Sequence, residues 1–530
     1  MIDDLRRLED GAALEADLCV VGAGAAGIAI AREFLGTGTS VLVLESGGRR
    51  RSRLGNSLNE GESTGLDPAS LTDGRERVLG GTTALWAGQC LLPEPSTFAE
   101  RDWVPHSGWP LDDSQLEPFY RRAEALFDIE GEFYDERIWD AFRVERPQIE
   151  RGRLMHRFTV WCPQPHLGRL YHRQLAASAN VRVLLHATTT AISTTAAGDR
   201  FESLRVTTPE SKTFTVRARA CVLCAGAVEN ARLLLASNEV HTAGLGNEHD
   251  LVGRFFQDHP NSQGAVVASG DEARLQELYG LLYRKRVRYL PRLVLAPELE
   301  RAERVLACAA HPVFHFGEES GIEATRRVYR AVRARRRPER LGRELGRIAR
   351  DVRRLVPVAY RRVAHGRSAR VPPHVVTLQI HAEQAPNPDS RVTLSQRRDR
   401  LGEPLPKVDW RLTELDRRTA EVMVDTVAGE FRRAGLGEVR AEPWLAGPGW
   451  SSHVNDSFHQ MGTTRLGRDP KRSVVDPDGQ VHGVEGLFVA GASVFPAAGF
   501  ANPTLMIAAL AIRLGDHLKE LVPRLAGRAP

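Results

Sequence analysis

Three glycines in Gly22-Ala-Gly-Ala-Ala-Gly27 have the spacing with which a chain holds a dinucleotide. Gly22 permits a tight turn, Gly24 lets backbone N–H groups approach a pyrophosphate, and Gly27 lets a helix pack closely on a strand. Glu45, 18 residues beyond Gly27, is a carboxylate placed to accept hydrogen bonds from a ribose. A second loop, Gly80, Gly81, Thr82 and Thr83, offers N–H groups and hydroxyls to a phosphate or a polar ring. His459 is a candidate for taking a proton, because a neutral imidazole with a reference pKa of about 6.5 titrates close to working pH, and His259 and His381 are candidate substrate-pocket residues. Arg465 is a candidate contact for an anionic group. Cys221 and Cys224 form a lone C-x-x-C inside the apolar run 220–224, which reads as buried strand thiols. No metal site is expected.

The elements that must position these residues follow from local pattern. Residues 17–21 are an apolar strand, 28–35 a helix and 40–45 a second strand, so the glycine turn sits in a βαβ unit. Further strands are expected at 181–185, 218–223 and 486–491. Ala225 and Gly226 lie in a turn that leads from the second of these into a helix. Gly491 ends the third and Ala492 follows it. An apolar helix runs over 502–512, with Asn502 suited to its cap and Pro503 and Thr504 to its first turn. Strands scattered in this way fit an α/β, Rossmann-like, doubly wound domain interrupted by insertions. Residues 1–90, 176–260 and 451–530 are assigned to that domain. Residues 91–175 and 261–450 are assigned to an α+β substrate domain, whose strands at 375–381 and 390–394 suggest an antiparallel sheet.

Composition narrows the class. The 530 residues are 42% hydrophobic and 26% charged, as in a soluble globular protein. The start is charged and lacks a signal-peptide core, and no run of 18 apolar residues occurs, so a cytoplasmic protein is expected. The net charge of +5 is unevenly spread: 17 arginines and three acids between Arg326 and Arg370 carry +14, which leaves −9 on the rest. Nucleic-acid binding by the whole protein is not indicated. Within that segment Leu341, Leu345, Ile348, Val352 and Leu355 form one apolar stripe, read as a helix that Pro357 ends. The helix is read as packed on the substrate domain through that stripe, with a solvated basic face; otherwise the basic face suits a membrane surface, an acidic protein partner or an anionic substrate moiety.

The last 75 residues carry Ser457-Phe-His-Gln-Met-Gly-Thr-Thr-Arg-Leu-Gly467, Val475-Asp-Pro-Asp-Gly479 and Phe500-Ala-Asn-Pro-Thr504. Together with the opening βαβ unit and the loop at 80–83, they resemble the glucose–methanol–choline (GMC) oxidoreductases, over nearly the whole chain. The phrases at 459–467 and 488–496 are most similar to the sugar-oxidising branch, with pyranose oxidase, fructose dehydrogenase and glucoside 3-dehydrogenase. The resemblance implies an FAD-binding domain, a substrate domain, and a catalytic pair at His459 and Asn502. It implies oxidation of an alcohol on a sugar, glycoside or glycosylated natural product, with His459 as base and oxygen, a quinone or a protein as electron acceptor. An asparagine cannot exchange a proton, but it can orient the substrate oxygen. Two departures stand out. Phe458 occupies the place of a frequent tryptophan, and Leu85 stands where pyranose oxidase attaches FAD through a histidine. A non-covalent FAD is therefore expected, with Cys90 and His106 the other residues near that loop.

Three other readings use the same residues. GMC-type lyase chemistry would keep FAD without net oxidation. A non-catalytic flavoprotein would act through the arginine-rich segment. A nicotinamide enzyme would use the glycine turn alone.

Overall fold

A computed structural model describes residues 1–68, 71–333, 336–368 and 370–525. Two large sheets organise it. The first runs in the order 2–4, 181–185, 41–45, 13–21, 213–223, 201–207, 188–194, with 487–489 also paired to 213–223. Its central parallel segments, 18–21, 41–45, 220–223 and 487–489, are almost purely apolar and buried, as strands covered on both faces must be. Strand Thr213–Leu223 changes neighbour along its length: its start pairs antiparallel with Phe201–Thr207, its end parallel with Leu487–Val489. The C-terminal strand thus joins the sheet where the N-terminal strand Ala13–Val21 ends.

Helix Ala25–Glu33 follows the first strand and packs against the C-terminal helix Thr504–Leu525, which also contacts helix Asp113–Phe127. The expected helix over 502–512 thus starts two residues later and continues to Leu525. Cys221 and Cys224 are buried thiols, as are the other four cysteines.

The second sheet is antiparallel, in the order 438–441, 261–268, 375–382, 308–315, 287–295, 154–161, 89–90. Gln89–Cys90 enters it directly from the second glycine loop. Strand Arg391–Arg398, expected beside 375–381, instead joins Pro404–Asp409 and Glu62–Ser63 in a separate three-stranded sheet.

Strands Cys308–His315 and Val375–Ala382 are neighbours, and the arginine-rich segment is inserted between them. It forms three helices, Gly321–Arg333, Leu341–Arg350 and Val352–His365. The single helix ended by Pro357 is therefore corrected in two ways. The chain breaks at Asp351, whose carboxylate leaves the helix path to accept the Gly321 N–H at 2.6 Å. Pro357 sits in the second turn of the next helix, which continues to His365 at the loss of one internal hydrogen bond. Leu345 and Val352, read as inward-facing, are about half exposed. Among the described residues no helix is long and apolar enough to cross a membrane.

Candidate active site

The parallel strands 13–21, 213–223 and 487–489 are neighbours, so their C-terminal ends share one edge of the sheet. Gly22, at φ +103°, turns the chain there, and a Cβ would lie 2.6 Å from the Cys224 carbonyl oxygen. A Cβ on Gly27 would lie 1.9 Å from the Gly22 oxygen, so helix and turn can approach only with glycine. Gly24, Gly226 and Gly491 have open space where a side chain would stand. Gly24 and Gly226 precede helices Ala25–Glu33 and Ala227–Ala236, whose N-termini have no side-chain cap. This glycine-lined edge, with uncapped N–H groups and a favourable helix dipole, fits the pyrophosphate of FAD.

The second glycine loop packs onto the first. Gly80 N–H donates to the Ala23 carbonyl at 2.8 Å, and a Cβ on Gly81 would meet Gly24 Cα at 2.8 Å. Thr82 is exposed, whereas the buried Thr83 hydroxyl donates to the Gly80 carbonyl and accepts the Leu167 N–H. Ala225 N–H is taken by the Asn230 side chain at 2.9 Å. Glu45 lies at the end of its strand, accepting the Ala23 N–H at 3.0 Å and the Gly47 N–H at 2.8 Å. Burial pushes its carboxyl up to about 7. Leu85 is 40% exposed. Cys90 is buried, and His106 packs edge-on against Phe255.

The segment with His459 is threaded between two others. Met461 and Gln257 exchange backbone hydrogen bonds, while Gly462 and Thr464 donate to the carbonyls of Ala492 and Ser493. The organising group is Asp258, fully buried and unnoticed in the sequence. Its carboxylate accepts N–H groups from His259 at 2.7 Å, Ser457 at 2.9 Å and His459 at 2.9 Å. Burial and the neighbouring Asp456 push this carboxyl up, against three N–H groups that favour its ionised form. The two bonds to 457 and 459 straddle Phe458, which is held at φ +60° with half its surface exposed. A bulky residue in that left-handed conformation costs about 1–3 kcal/mol and persists only when its surroundings over-determine it. Asp258 supplies that determination.

His459 Nδ1 lies 2.9 Å from His259 Nδ1, with the rings edge to face. One of these nitrogens must carry the proton. The carbonyls of Ala498 and Gly499 favour protonation of His259, although its Nε2 makes no hydrogen bond of full geometry. With the proton of His259 on Nε2, its Nδ1 accepts from His459 Nδ1–H. The lone pair of His459 then lies on Nε2, 3.5 Å from the Asn502 amide nitrogen. Burial, then His259, then Arg292 push the His459 imidazole well below its ordinary value, so the ring is neutral. Burial likewise lowers His259 to about 4. Asn502 does not cap the C-terminal helix: its Oδ1 is buried and unpartnered, and Ile507 N–H bonds the Pro503 carbonyl instead.

One face of the antiparallel sheet completes the site. The register pairs Leu293 with Ala310 and His311 with Gln379, which brings Arg292, His311 and His381 to a common face. His381 lies 3.5 Å from the Ser457 hydroxyl and stacks on His311 at 5.7 Å. Burial first, with Arg292 next, holds His381 well below its ordinary value and lowers His311 to about 3. Arg292 is buried, donates to Gln89 Oε1 at 3.1 Å, and leaves Nε unpartnered. Burial lowers its guanidinium to about 10. Thr159 Oγ1 and His311 Nδ1 are also buried without partners. The face therefore offers donors and acceptors that only a polar ligand can satisfy.

His459, Asn502, His259 and His381 are thus brought together. Arg465 is not among them: it donates to the His106 carbonyl at 2.7 Å and lies over the Phe255 ring. Asp258, Arg292, His311 and Thr159 were missed in the sequence. The adjacency Asp258-His259 was visible there, but nothing in the sequence ties it to residue 459. Among the described residues no group of three or more His, Cys, Asp or Glu side chains could hold a metal ion.

Residues 386–511 match the family model described as GMC oxidoreductase, and residues 17–243 that of the FAD dependent oxidoreductases. The chain is 23% identical to the fructose dehydrogenase large subunit of Gluconobacter japonicus, over 95% of this chain and 98% of that one. It is 37% identical to a C-glycoside 3-oxidase of Arthrobacter globiformis over 28% of each chain. The formate oxidase structure from Aspergillus oryzae superposes with a TM-score of 0.57 at 16% identity, covering 98% of this chain and 100% of the other, a likeness of fold.

Proposed function

The chain is a GMC oxidoreductase built on an FAD-dependent oxidoreductase domain, and from that premise we propose that it oxidises a CH–OH group of a sugar or glycoside with His459 as the base. The observation that carries this reading is the buried, neutral His459, whose Nε2 lone pair lies beside Asn502. Oxidising an alcohol removes a hydride from carbon and a proton from oxygen; FAD, when bound, accepts the hydride. His459 takes the proton at Nε2, and burial keeps the ring in the form that can do so. Asn502 donates an amide N–H to the substrate oxygen and holds it near that nitrogen. His259, fixed by Asp258, sets the His459 tautomer. His381, His311, Thr159 and Arg292 bind the other hydroxyls.

The same reading assigns 1–90, 176–260 and 451–530 to cofactor binding and 91–175 and 261–450 to the substrate side. Gly22, Gly24, Gly27, Glu45, Gly80, Gly81, Thr82, Thr83, Ala225, Gly226, Gly491, Ala492, Asn502, Pro503 and Thr504 line the cofactor. Oxygen, a quinone or a protein takes the electrons onward. Residues 326–370 offer contact with a membrane surface or an acidic partner.

The test is an anaerobic screen of sugars and glycosides that follows bleaching of the bound FAD. Reduction by at least one such alcohol is expected; none by any of them removes the assignment. FAD is held without a covalent bond in this reading, since leucine at position 85 has no nucleophilic atom. Acid precipitation should leave the yellow colour in the supernatant, and colour in the pellet would show a covalent link.

A further inference from the structure

Helix Val352–His365 has no buried residue. Leu355 and Val358 are half-buried on one side, whereas Val352, Val356, Tyr360 and Val363 recur at intervals of four, four and three on another. That spacing makes one stripe on one face. The stripe is open to solvent, with Tyr360 at 64% and Val363 at 87% exposure. The two helices packed with it add Tyr329, Val332 and Leu345, also exposed. Seven of the 13 large hydrophobic residues exposed among the described residues thus fall between 329 and 363. A solvated helix face has no use for such a stripe, and apolar area gathered in one place marks a contact.

Charge identifies what it contacts. Arg330, Arg336, Arg350, Arg353 and Arg354 are exposed in the same insertion. Arg326, Arg327, Arg343 and Arg347 spend part of their charge on Glu323, Glu344 and Glu319. The segment 326–370 still carries +14, on a chain otherwise at −9. A protein partner would have to match both a broad cationic field and a shallow stripe of valines and tyrosines. An anionic lipid surface matches both at once: valines enter the acyl boundary, tyrosines lie at headgroup level, and arginines reach phosphates from flexible stems.

We propose that the three-helix insertion, through the stripe Val352, Val356, Tyr360 and Val363 and its exposed arginines, docks the enzyme on an anionic phospholipid surface. The proposal is independent of the substrate. The insertion rises from the adjacent strands Cys308–His315 and Val375–Ala382, which also carry His311 and His381. Docking therefore brings the substrate sheet to the lipid face without inserting any spanning segment.

The test is co-sedimentation of the full-length flavoprotein with vesicles of phosphatidylcholine alone, or with about one-third phosphatidylglycerol, at ~0.1 M and ~0.5 M salt. Binding is expected only with phosphatidylglycerol and only at the lower salt. Val356→Asp/Tyr360→Asp and Arg353→Glu/Arg354→Glu should each weaken it by about tenfold or more, with FAD content and visible spectrum unchanged. The arginine variant keeps the test valid if the apolar one fails to fold. Three outcomes would overturn the proposal: no sedimentation with phosphatidylglycerol vesicles, binding indifferent to both variants, or a wild-type dimer that Val356→Asp/Tyr360→Asp dissolves. The last would give the stripe to a second copy of the chain.

Discussion

Around Asp258 and in the arginine-rich insertion the chain handles charge in opposite ways. In the first region burial strips charge from four histidines, lowers even Arg292, and leaves buried atoms such as the Asn502 and Thr159 oxygens unpaired. In the second, most of the arginines stand in water and pair with one carboxylate or none; Arg347, buried against Glu319 and Glu344, is the exception. A buried polar group without its partner costs about 1–3 kcal/mol, whereas an exposed pair is worth about 0–1 kcal/mol. The first region is therefore built for geometry and the second for a summed field. Substitutions should consequently act strongly and locally in the one, weakly and additively in the other.

The hardest test of that contrast is His459→Ala. It should retain FAD yet slow anaerobic flavin reduction by ~10²–10⁴-fold, the usual worth of a positioned base. Near-normal reduction would remove His459 from the mechanism. Asn502→Ala loses orientation and one hydrogen bond, so about tenfold is expected by the same measurement.

Asp258→Asn comes next. An amide has one acceptor oxygen for three N–H groups, so at least one is left unpaired and the turn at Phe458 relaxes. Thermal or denaturant unfolding should show a loss of about 1–3 kcal/mol, together with slower reduction at unchanged substrate chemistry. An unaltered protein would mean that Asp258 does not hold the turn.

Acid should separate the regions without any mutation. His259 is lowered to about 4 by burial, whereas an unfolded imidazole titrates near ~6.5. Between those values the unfolded chain binds the extra proton and the folded one does not. Stability is then complete above ~6.5 and falls as pH drops toward 4, by about 3 kcal/mol for this group alone. Equilibrium unfolding over that range is the check, and His259→Asn should flatten part of the slope. The smallest effect belongs to the insertion: Arg350→Gln should leave both stability and flavin reduction within about 0.5 kcal/mol of wild type. A larger change would show that this surface carries fold as well as field.

What could be read in the sequence follows the same division. The glycine turn was legible because sterics permit nothing else: a Cβ on Gly27 collides with backbone, and Gly22 needs its positive φ. The strands expected at 181–185 and 218–223 were legible from mainly apolar runs, although the second begins earlier, at Thr213, where exposed polar residues hid it. The relay from Asp258 through His259 to His459 was not, since it joins residues 200 apart by hydrogen bonds that leave no local pattern. Arg292 carries no mark in the sequence, and only the register beside His311 gives it a place in the site. Asn502 looked like a helix cap, yet its side chain is turned to the site and leaves the helix to Pro503. In the insertion, periodicity predicted one helix, but the backbone leaves the helical conformation at Asp351, whose carboxylate accepts the Gly321 N–H. The stripe at 341–355 was read as facing inward because apolar residues usually do; Leu345 and Val352 instead join a face turned outward.

The pairing of strand Leu487–Val489 with Thr213–Leu223, and of helix Thr504–Leu525 with Ala25–Glu33, has a consequence for how the protein is born. The first glycine turn leaves the ribosome while most of the chain is unmade. At ~5–20 residues per second, Asn502 follows it by roughly half a minute to a minute and a half. Throughout that interval the nascent sheet lacks its last parallel strand, and helix Ala25–Glu33 lacks the apolar cover it will keep. A chain stalled before residue 459 has the turn at 22–27 but neither Gly491 nor His459. The last strand of the sheet and the base therefore arrive in the same late stretch of translation, and the site closes in one step near its end.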